Sequence, residues 1–326
     1  MKTKDQKKFT IIIPSKIFDD NLEFCIKNIR KYYKLVKIIV ILDKKKKLIK
    51  NKDIKIITSG PKTIGYKRNL AAKSTNSKYI TFIDSDAYPK HKWLDYVLNS
   101  FKKFEDIKVI GGPNLSPPSK ELEKQLVARA RKLSFVTFDP FIKKRGKTEK
   151  IVNFLPACNF TIERKIYLKI GGMIDKIYSG EEMSLMKKLR DKNCKLLLNY
   201  KSYVYHKERD FKHFFRQRFV YGSTAIYYIL KYPCRETLLL LISTFPFLYL
   251  LLLPITFVNL FLFKIYFSIF SFLCLFCLLC AVKINFKNNF FKSLNLIILS
   301  VFGPGIGLVT SLFLDDKKIK KLYTQK

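Results

Sequence analysis

The segment TFIDSDAYP carries the strongest chemistry in this sequence: an apolar, strand-like run ends in Asp84-Ser85-Asp86. Side chains two positions apart on an extended chain point the same way, so the two carboxylates converge where the strand stops. Hard divalent cations, Mg2+ or Mn2+, prefer such oxygen ligands and share them with diphosphate oxygens. An Asp-x-Asp also arises by chance in turns after strands, so its meaning depends on its place in the fold.

That place follows from the pattern around it. Residues 9–112 alternate short β-branched runs with helical patterns, which predicts βαβ units and a largely parallel sheet. The expected strands are Phe9–Pro14, Lys37–Asp43, Ile54–Ser59, Lys78–Asp84 and Ile107–Gly111. Between the first two, Leu22, Cys25, Ile26, Ile29 and Tyr33 fall on one helical face, and Asp20 with Glu23 has the spacing of a capping box. Further helices are expected over Tyr66–Lys73 and Trp93–Phe104. In open α/β sheets ligands bind beyond the C-terminal strand ends, and the fourth strand ends at the Asp84 and Asp86 pair. Downstream, GGPNLSPP reads as a loop and Lys120–Leu133 as a basic amphipathic helix. Asn159–Glu163 reads as a strand, Arg164–Ile170 and Glu181–Asp191 as helices, and Lys195–His206 as a closing strand pair.

The order of FTIIIP, KIIVILD, GPKTIGYKRNLAAKSTNSKYITFIDSDAYP, GGPN, LPACNFTIERKIYLKIGGMID and SGEEMSLMKKLRDKNCKLLL is more specific than any one piece. Residues 9 to about 222 resemble a family 2 glycosyltransferase with the GT-A fold, a Rossmann-like mixed α/β sheet. The resemblance implies that Asp43 contacts the nucleobase, that Lys67 or Arg68 lies near the nucleotide, and that Asp84 and Asp86 are the ribose and metal carboxylates. Asp43 is followed by four lysines, where the family often has another Asp or Gly-Ser. Glu181-Glu182 stands where the family carries Glu-Asp, whose second member is the general base. Helical spacing also groups Glu182 with Leu185, Met186 and Leu189, and Glu181 with Ser184 and Lys188. Glu182 is therefore expected on the packed, site-facing side, where shielding raises a carboxyl pKa toward the working pH of a base. The competing reading makes Glu182 a helix cap paired with Ser179. His206 is expected as a third metal ligand or a diphosphate donor, or else as a surface histidine. FFRQRFVYG resembles the helix bordering the acceptor site in membrane-bound relatives, which makes Gln217 and Arg218 candidates for pyrophosphate or acceptor contacts. The Gln-x-x-Arg-Trp box of processive synthases is missing here, which disfavours long-chain synthesis.

The rest of the chain has a different composition. The sequence has 326 residues with 63 Lys and Arg against 25 Asp and Glu, a net charge of +38, and its lysines are spread over the polar first two thirds. With apolar spans following, the anionic inner face of a membrane is the expected counter-surface and no nucleic-acid partner is expected. Seven cysteines without paired spacing argue for a reducing compartment, and Cys274, Cys277 and Cys280 read as small residues on a helix face. A GT-A domain is expected over residues 1–235, with an interfacial or merely structural helix at about 211–232. A membrane domain is expected over 236–326. Its spans are 238–258, which holds 21 residues without a charge, then 265–282 and 293–314. GPGIG interrupts the last of these, and a full crossing would export the Lys-rich tail, so a re-entrant segment is expected.

The expectation is therefore a multi-pass protein of the cytoplasmic membrane with its catalytic domain in the cytoplasm. It would be a metal-dependent inverting glycosyltransferase that uses a nucleoside-diphosphate sugar and Mg2+ or Mn2+. The acceptor would be lipid-linked or a surface glycan. The alternatives are a polyprenyl-phosphate sugar synthase and a non-catalytic scaffold that binds membrane or anionic polymer.

Overall fold

The computed structural model describes residues 1–44, 53–133, 136, 149–177 and 180–313. The strands are β1 (Phe9–Pro14), β2 (Lys37–Leu42), β3 (Ile54–Thr58), β4 (Tyr79–Ile83), β5 (Ala87–Pro89) and β6 (Val109–Gly111). They continue with β7 (Asn114–Leu115), β8 (Glu149–Val152), β9 (Asn159–Glu163), β10 (Leu196–Asn199) and β11 (Val204–His206). The helices are α1 (Thr3–Gln6), α2 (Asp20–Tyr32), α3 (Ile64–Lys73), α4 (Trp93–Lys103), α5 (Leu122–Arg131), α6 (Arg164–Lys169) and α7 (Glu181–Asp191). After these come α8 (Phe211–Ser223), α9 (Ala225–Lys231), α10 (Arg235–Ile242), α11 (Phe245–Leu250), α12 (Leu253–Thr256), α13 (Leu260–Ile284) and α14 (Phe290–Phe313).

The chain forms two compact units, Met1–Pro117 with Phe141–Lys207, and Pro118–Pro140 with Glu208–Lys326. The second unit takes in α5 from the middle of the sequence together with everything from Glu208 onward.

In the first unit an eight-stranded sheet has the order β3-β2-β1-β4-β9-β6-β10-β8, and a small sheet has the order β5-β11-β7. The sequence FTIIIP is buried along its whole length, as a central strand covered on both faces must be. Its side chains alternate: Phe9, Ile11 and Ile13 enter the core beneath α2 and α4, and Ile12 enters the opposite core with Phe82, Tyr167 and Leu185. Helix α2 buries Leu22, Cys25, Ile26 and Ile29 as the spacing predicts. Its cap, however, is Asp19, which accepts from the Leu22 N–H at 3.0 Å, and not an Asp20–Glu23 box.

Strand β9 runs antiparallel between β4 and β6, so the sheet is mixed, while β1 to β4 pair in parallel as the βαβ pattern predicts. One expectation about the closing strands is corrected. The closing pair over Lys195–His206 does not pair with itself: β10 joins the large sheet beside β6 and β8, while β11 joins β5 and β7.

In the second unit, Leu238–Val258 is not one span but the three short helices α10, α11 and α12. Pro246 and Pro254 lie in the first turns of α11 and α12, where a missing N–H is tolerated and from which a preceding helix cannot continue. The 211–232 segment is likewise divided, at Thr224, into α8 and α9. Among the described residues two helices are long and apolar enough to cross a membrane, α13 with 25 residues and α14 with 24. At 1.5 Å per residue each reaches about 36 Å, beyond the roughly 30 Å of bilayer hydrocarbon.

GPGIG does not break the last helix, since α14 runs through it with Pro304 inside. Proline cannot donate to the carbonyl four residues back, and that freed carbonyl, Ser300 O, accepts from Arg218 Nε of α8 at 3.3 Å. The glycines serve packing: a Cβ on Gly222 of α8 would overlap the Pro304 carbonyl, and one on Gly307 would overlap that of Phe219. Because the obstacles are backbone atoms, Gly222→Ala and Gly307→Ala are each expected to cost about 1–3 kcal/mol. Thermal unfolding of the detergent-solubilised protein, followed by circular dichroism, would show the loss.

Candidate active site

Strand β4 delivers Asp84 to the C-terminal edge of the sheet beside β1, where the strand order reverses and ligand crevices form. In the ladder with β9, Ile83 lies opposite Asn159, so the next pair outward is Asp84 and Cys158. The chain turns through Asp86 into β5, whose Ala87 pairs with His206 of β11. The Lys207 N–H closes the corner by donating to Asp86 O at 3.0 Å. Residues 74 and more apart in sequence thus meet through two strand registers.

At that corner His206 Nε2 stands 3.6 Å from Asp84 Oδ2 and 3.4 Å from Asp86 Oδ1. The other ring nitrogen, Nδ1, lies 3.2 Å from Lys207 O, and a carbonyl can only accept. This contact puts a proton on Nδ1, and Nε2 faces the two carboxylates. A histidine held through Nδ1 by a backbone carbonyl, with Nε2 among carboxylate oxygens, can serve as a metal ligand or as a charged partner of those carboxylates. Asp84 and His206 are thus donors of a kind that could hold a divalent cation, with Asp86 beside the same ring nitrogen. Both carboxylates are partly exposed, at 31% and 38%, so a ligand can reach them from solvent.

Asp84 is fixed from the other side by Arg68 of α3, whose Nη2 donates to Asp84 Oδ1 at 2.7 Å. Arg68 Nη1 donates to Glu181 at the head of α7, so one buried guanidinium joins the metal-type carboxylate to the acidic helix. Its Cζ also lies over the Phe82 ring, 5.8 Å from the centroid. Burial opposes the charge on Arg68, but Asp84 and Glu181 outweigh it and hold its pKa above the usual arginine value. For Glu181 burial is the larger influence and raises its carboxyl, with Arg68 offsetting part of the rise.

Local sequence explains this closeness. Gly65 opens α3 to its neighbour, since a Cβ there would overlap the Ile174 carbonyl. Asn69 then holds the GGMID turn: its Oδ1 accepts from the Met173 N–H at 3.1 Å and the Tyr167 hydroxyl at 2.6 Å, while its Nδ2 donates to Met173 O at 2.8 Å. Ser184 Oγ accepts from the Ile174 N–H at 3.3 Å, which ties the same turn to α7.

The assignment of faces on α7 needs correction. Glu181 and Ser184 are buried with Leu185, Met186 and Leu189, whereas Glu182 is half-buried. The buried face lies between the two glutamates, and the guanidinium of Arg68 selects Glu181. Ser179, the expected cap partner of Glu182, lies outside the described residues, and the N-cap is Gly180 without a side-chain bond. Desolvation nonetheless pushes the Glu182 carboxyl up to about 8, with the neighbouring Glu181 charge second.

The other expected residues fall as follows. Asp43 follows β2 and is ion-paired with Lys67, whose Nζ also donates to Ser15 O at 2.6 Å, so Lys67 ties the ends of β1 and β2 together. Gln217 and Arg218 belong to α8 in the second unit. There Gln217 Nε2 donates to the Tyr221 hydroxyl at 3.0 Å, and Arg218 is buried against backbone carbonyls, so it is not a solvent-facing anion ligand. Cys158 and Asn159 were not singled out by sequence. Asn159 accepts from Trp93 Nε1 at 2.8 Å and donates to Pro113 O and Ser202 O at 3.0 Å each, which fixes the strand beside Asp84. Only the register of β9 brings that pair to the site, and no local spacing announces it.

Residues 10–171 match Glycosyl transferase family 2. Through that stretch the chain belongs to glycosyl transferase family 2. The mixed α/β sheet is that of a GT-A transferase domain. No curated protein matches. Among solved structures the chain is similar to the crystal structure of GalNAc-T7 with UDP, GalNAc and Mn2+, at 14% identity and a TM-score of 0.47, over 62% of this chain and 43% of that one. This family 2 chain thus spans less than half the length of that protein, and no residue role is carried across from it.

Proposed function

We propose that this protein is an inverting glycosyltransferase that moves a sugar from a nucleoside diphosphate to an acceptor presented at a membrane. The observation that carries the reading is the linked set of groups at the sheet edge. Asp84, Asp86 and His206 converge there, and Arg68 and Glu181 tie that corner to the helix that bears Glu182. A divalent cation bound at the corner would offset charge that builds on the departing diphosphate. Glu182 takes the proton of the acceptor hydroxyl as that oxygen attacks the anomeric carbon from the side opposite the leaving group, and a single displacement inverts the configuration. In this reading Asp43, after β2, and Lys67, in α3, serve the nucleoside, a role their ion pair at the ends of β1 and β2 supports.

The membrane part of the reading is supported by α13 and α14, and by large side chains such as Phe267, Phe272 and Phe291 that are exposed along them. The high positive charge favours an anionic surface beside them. A lipid-linked sugar or a growing surface glycan at the cytoplasmic face is the acceptor that this arrangement suits.

The test is a panel of nucleoside-diphosphate sugars offered to detergent-purified protein with membrane lipid, with Mn2+ or with chelator. One donor is expected to turn over in a chelator-sensitive way. Asp86→Ala is expected to raise the Mn2+ concentration for half-maximal rate by roughly tenfold. Turnover of no donor under any of these conditions overturns the reading.

A further inference from the structure

The corner that gathers Asp84, Asp86 and His206 contains one more donor, which the transfer reaction as proposed leaves idle. Cys158 Sγ, a carboxylate oxygen of Asp84 and a ring nitrogen of His206 all lie within 4.8 Å of one another. Zinc in a tetrahedral site, with bonds of about 2.0–2.3 Å, spaces its ligands roughly 3.3–3.8 Å apart, so small rotamer adjustments bring the three onto one ion. The backbone beneath them is firm. Cys158 directly precedes β9, where Asn159 is held by Trp93, Pro113 and Ser202, and His206 is fixed in β11 between the β5 and β7 strands. Cys158 and His206 are 9% and 6% exposed, so the sulfur and nitrogen sit behind the more open carboxylates.

The chemistry of this set differs from that of the two carboxylates alone. Hard Mg2+ is served by oxygen and retains water, whereas thiolate selects softer ions and imidazole suits zinc and its neighbours. We propose that Asp84, Cys158 and His206 form a mixed oxygen, sulfur and nitrogen site for a thiophilic divalent cation of the zinc class. On coordination the Cys158 thiol gives its proton to solvent and a sulfur–metal bond replaces the S–H bond, with no change of oxidation state. Because Asp84 and His206 would serve either ion, a zinc-class ion and Mn2+ exclude one another at this corner. The inference stands on the donor set and does not rest on the transfer reaction.

The experiment uses the full chain in detergent, stripped of metal and titrated with Co2+ as a coloured substitute for zinc. A near-ultraviolet thiolate-to-cobalt charge-transfer band is expected, saturating at one ion per chain and abolished by an equivalent of Zn2+. In Cys158→Ser, with an unchanged circular dichroism spectrum, the band is lost and Zn2+ binding by competition with a chromophoric chelator weakens. Losing a second-sphere partner costs about 10–100-fold, so losing a direct ligand should cost at least roughly tenfold. A second measurement needs no variant: Zn2+ should slow alkylation of Cys158, mapped by peptide, and leave the half-buried Cys194 unchanged. Cobalt bound without a thiolate band, a band retained in Cys158→Ser, or alkylation of Cys158 indifferent to Zn2+ each overturns the proposal. Any of these leaves Cys158 as a small packing residue. The donor panel above is read separately, so either reading can fail without the other.

Discussion

Glu182→Gln is expected to lower sugar transfer by about 10²–10⁴-fold while leaving donor affinity almost unchanged, the signature of a lost proton acceptor. The substitution keeps the size and the position at the head of α7 and removes only basicity. In the wild type, desolvation and then the charge of Glu181 push the Glu182 carboxyl up to about 8. A base works only when ionised, so log kcat/KM should rise with unit slope as pH increases and level off near 8. In Glu182→Gln that limb should vanish along with the rate. Glu181→Gln provides the contrast, because Glu181 is committed to Arg68 and its loss should appear in stability rather than in the pH profile. Initial rates across pH, with the donor that the panel identifies, decide the matter. A normal profile in Glu182→Gln together with a lost limb in Glu181→Gln would exchange the two roles.

The fold was legible where the sequence has a strong local period. The β-branched runs of β1, β2 and β4 and the apolar face of α2 stand within a residue or two of where the pattern puts them. The position of Asp84 and Asp86 was legible for the same reason, since it needs only the end of β4. What escaped was set by pairings between distant segments. Strand β9 has the composition of any buried strand, and nothing in NFTIE says that it enters antiparallel beside β4 and carries Cys158 to Asp84. The apolar spacing of α7 leaves Glu181 and Glu182 on either edge of one face, and the choice between them is made by Arg68, more than 110 positions away. GPGIG reads as a break by propensity, yet in α14 its Gly303 and Gly307 are contact points for α8 and its proline hands a carbonyl to Arg218. Tertiary contact outweighs local preference at each of these places.

Arg68→Met should destabilise the protein by about 3–5 kcal/mol, the usual cost of stranding one partner of a buried ion pair. The Arg68 and Glu181 side chains are 2% and 6% exposed, so water cannot take over the lost contact. Asp84, at 31%, can rehydrate, which makes Glu181 the main source of the loss. That assignment predicts a rescue: Arg68→Met combined with Glu181→Met should recover most of the stability, because two apolar side chains replace two buried charges. It also fixes the pH dependence. Without the guanidinium, burial alone acts on Glu181 and raises its folded-state pKa further above the ordinary value of 4.5. A carboxyl raised in the folded state costs nothing while both states are protonated, and it costs progressively more as pH climbs through the folded-state pKa. The gap in unfolding midpoint between wild type and Arg68→Met should therefore narrow as pH is lowered toward 4.5, and the double variant should show no such narrowing. A gap that stays constant with pH would mean that Arg68 acts through packing on Phe82 rather than through charge. The transfer rate of the double variant carries a further distinction. If it folds well but works poorly, the Arg68 bridge positions Asp84 and α7 for the reaction as well as holding them together.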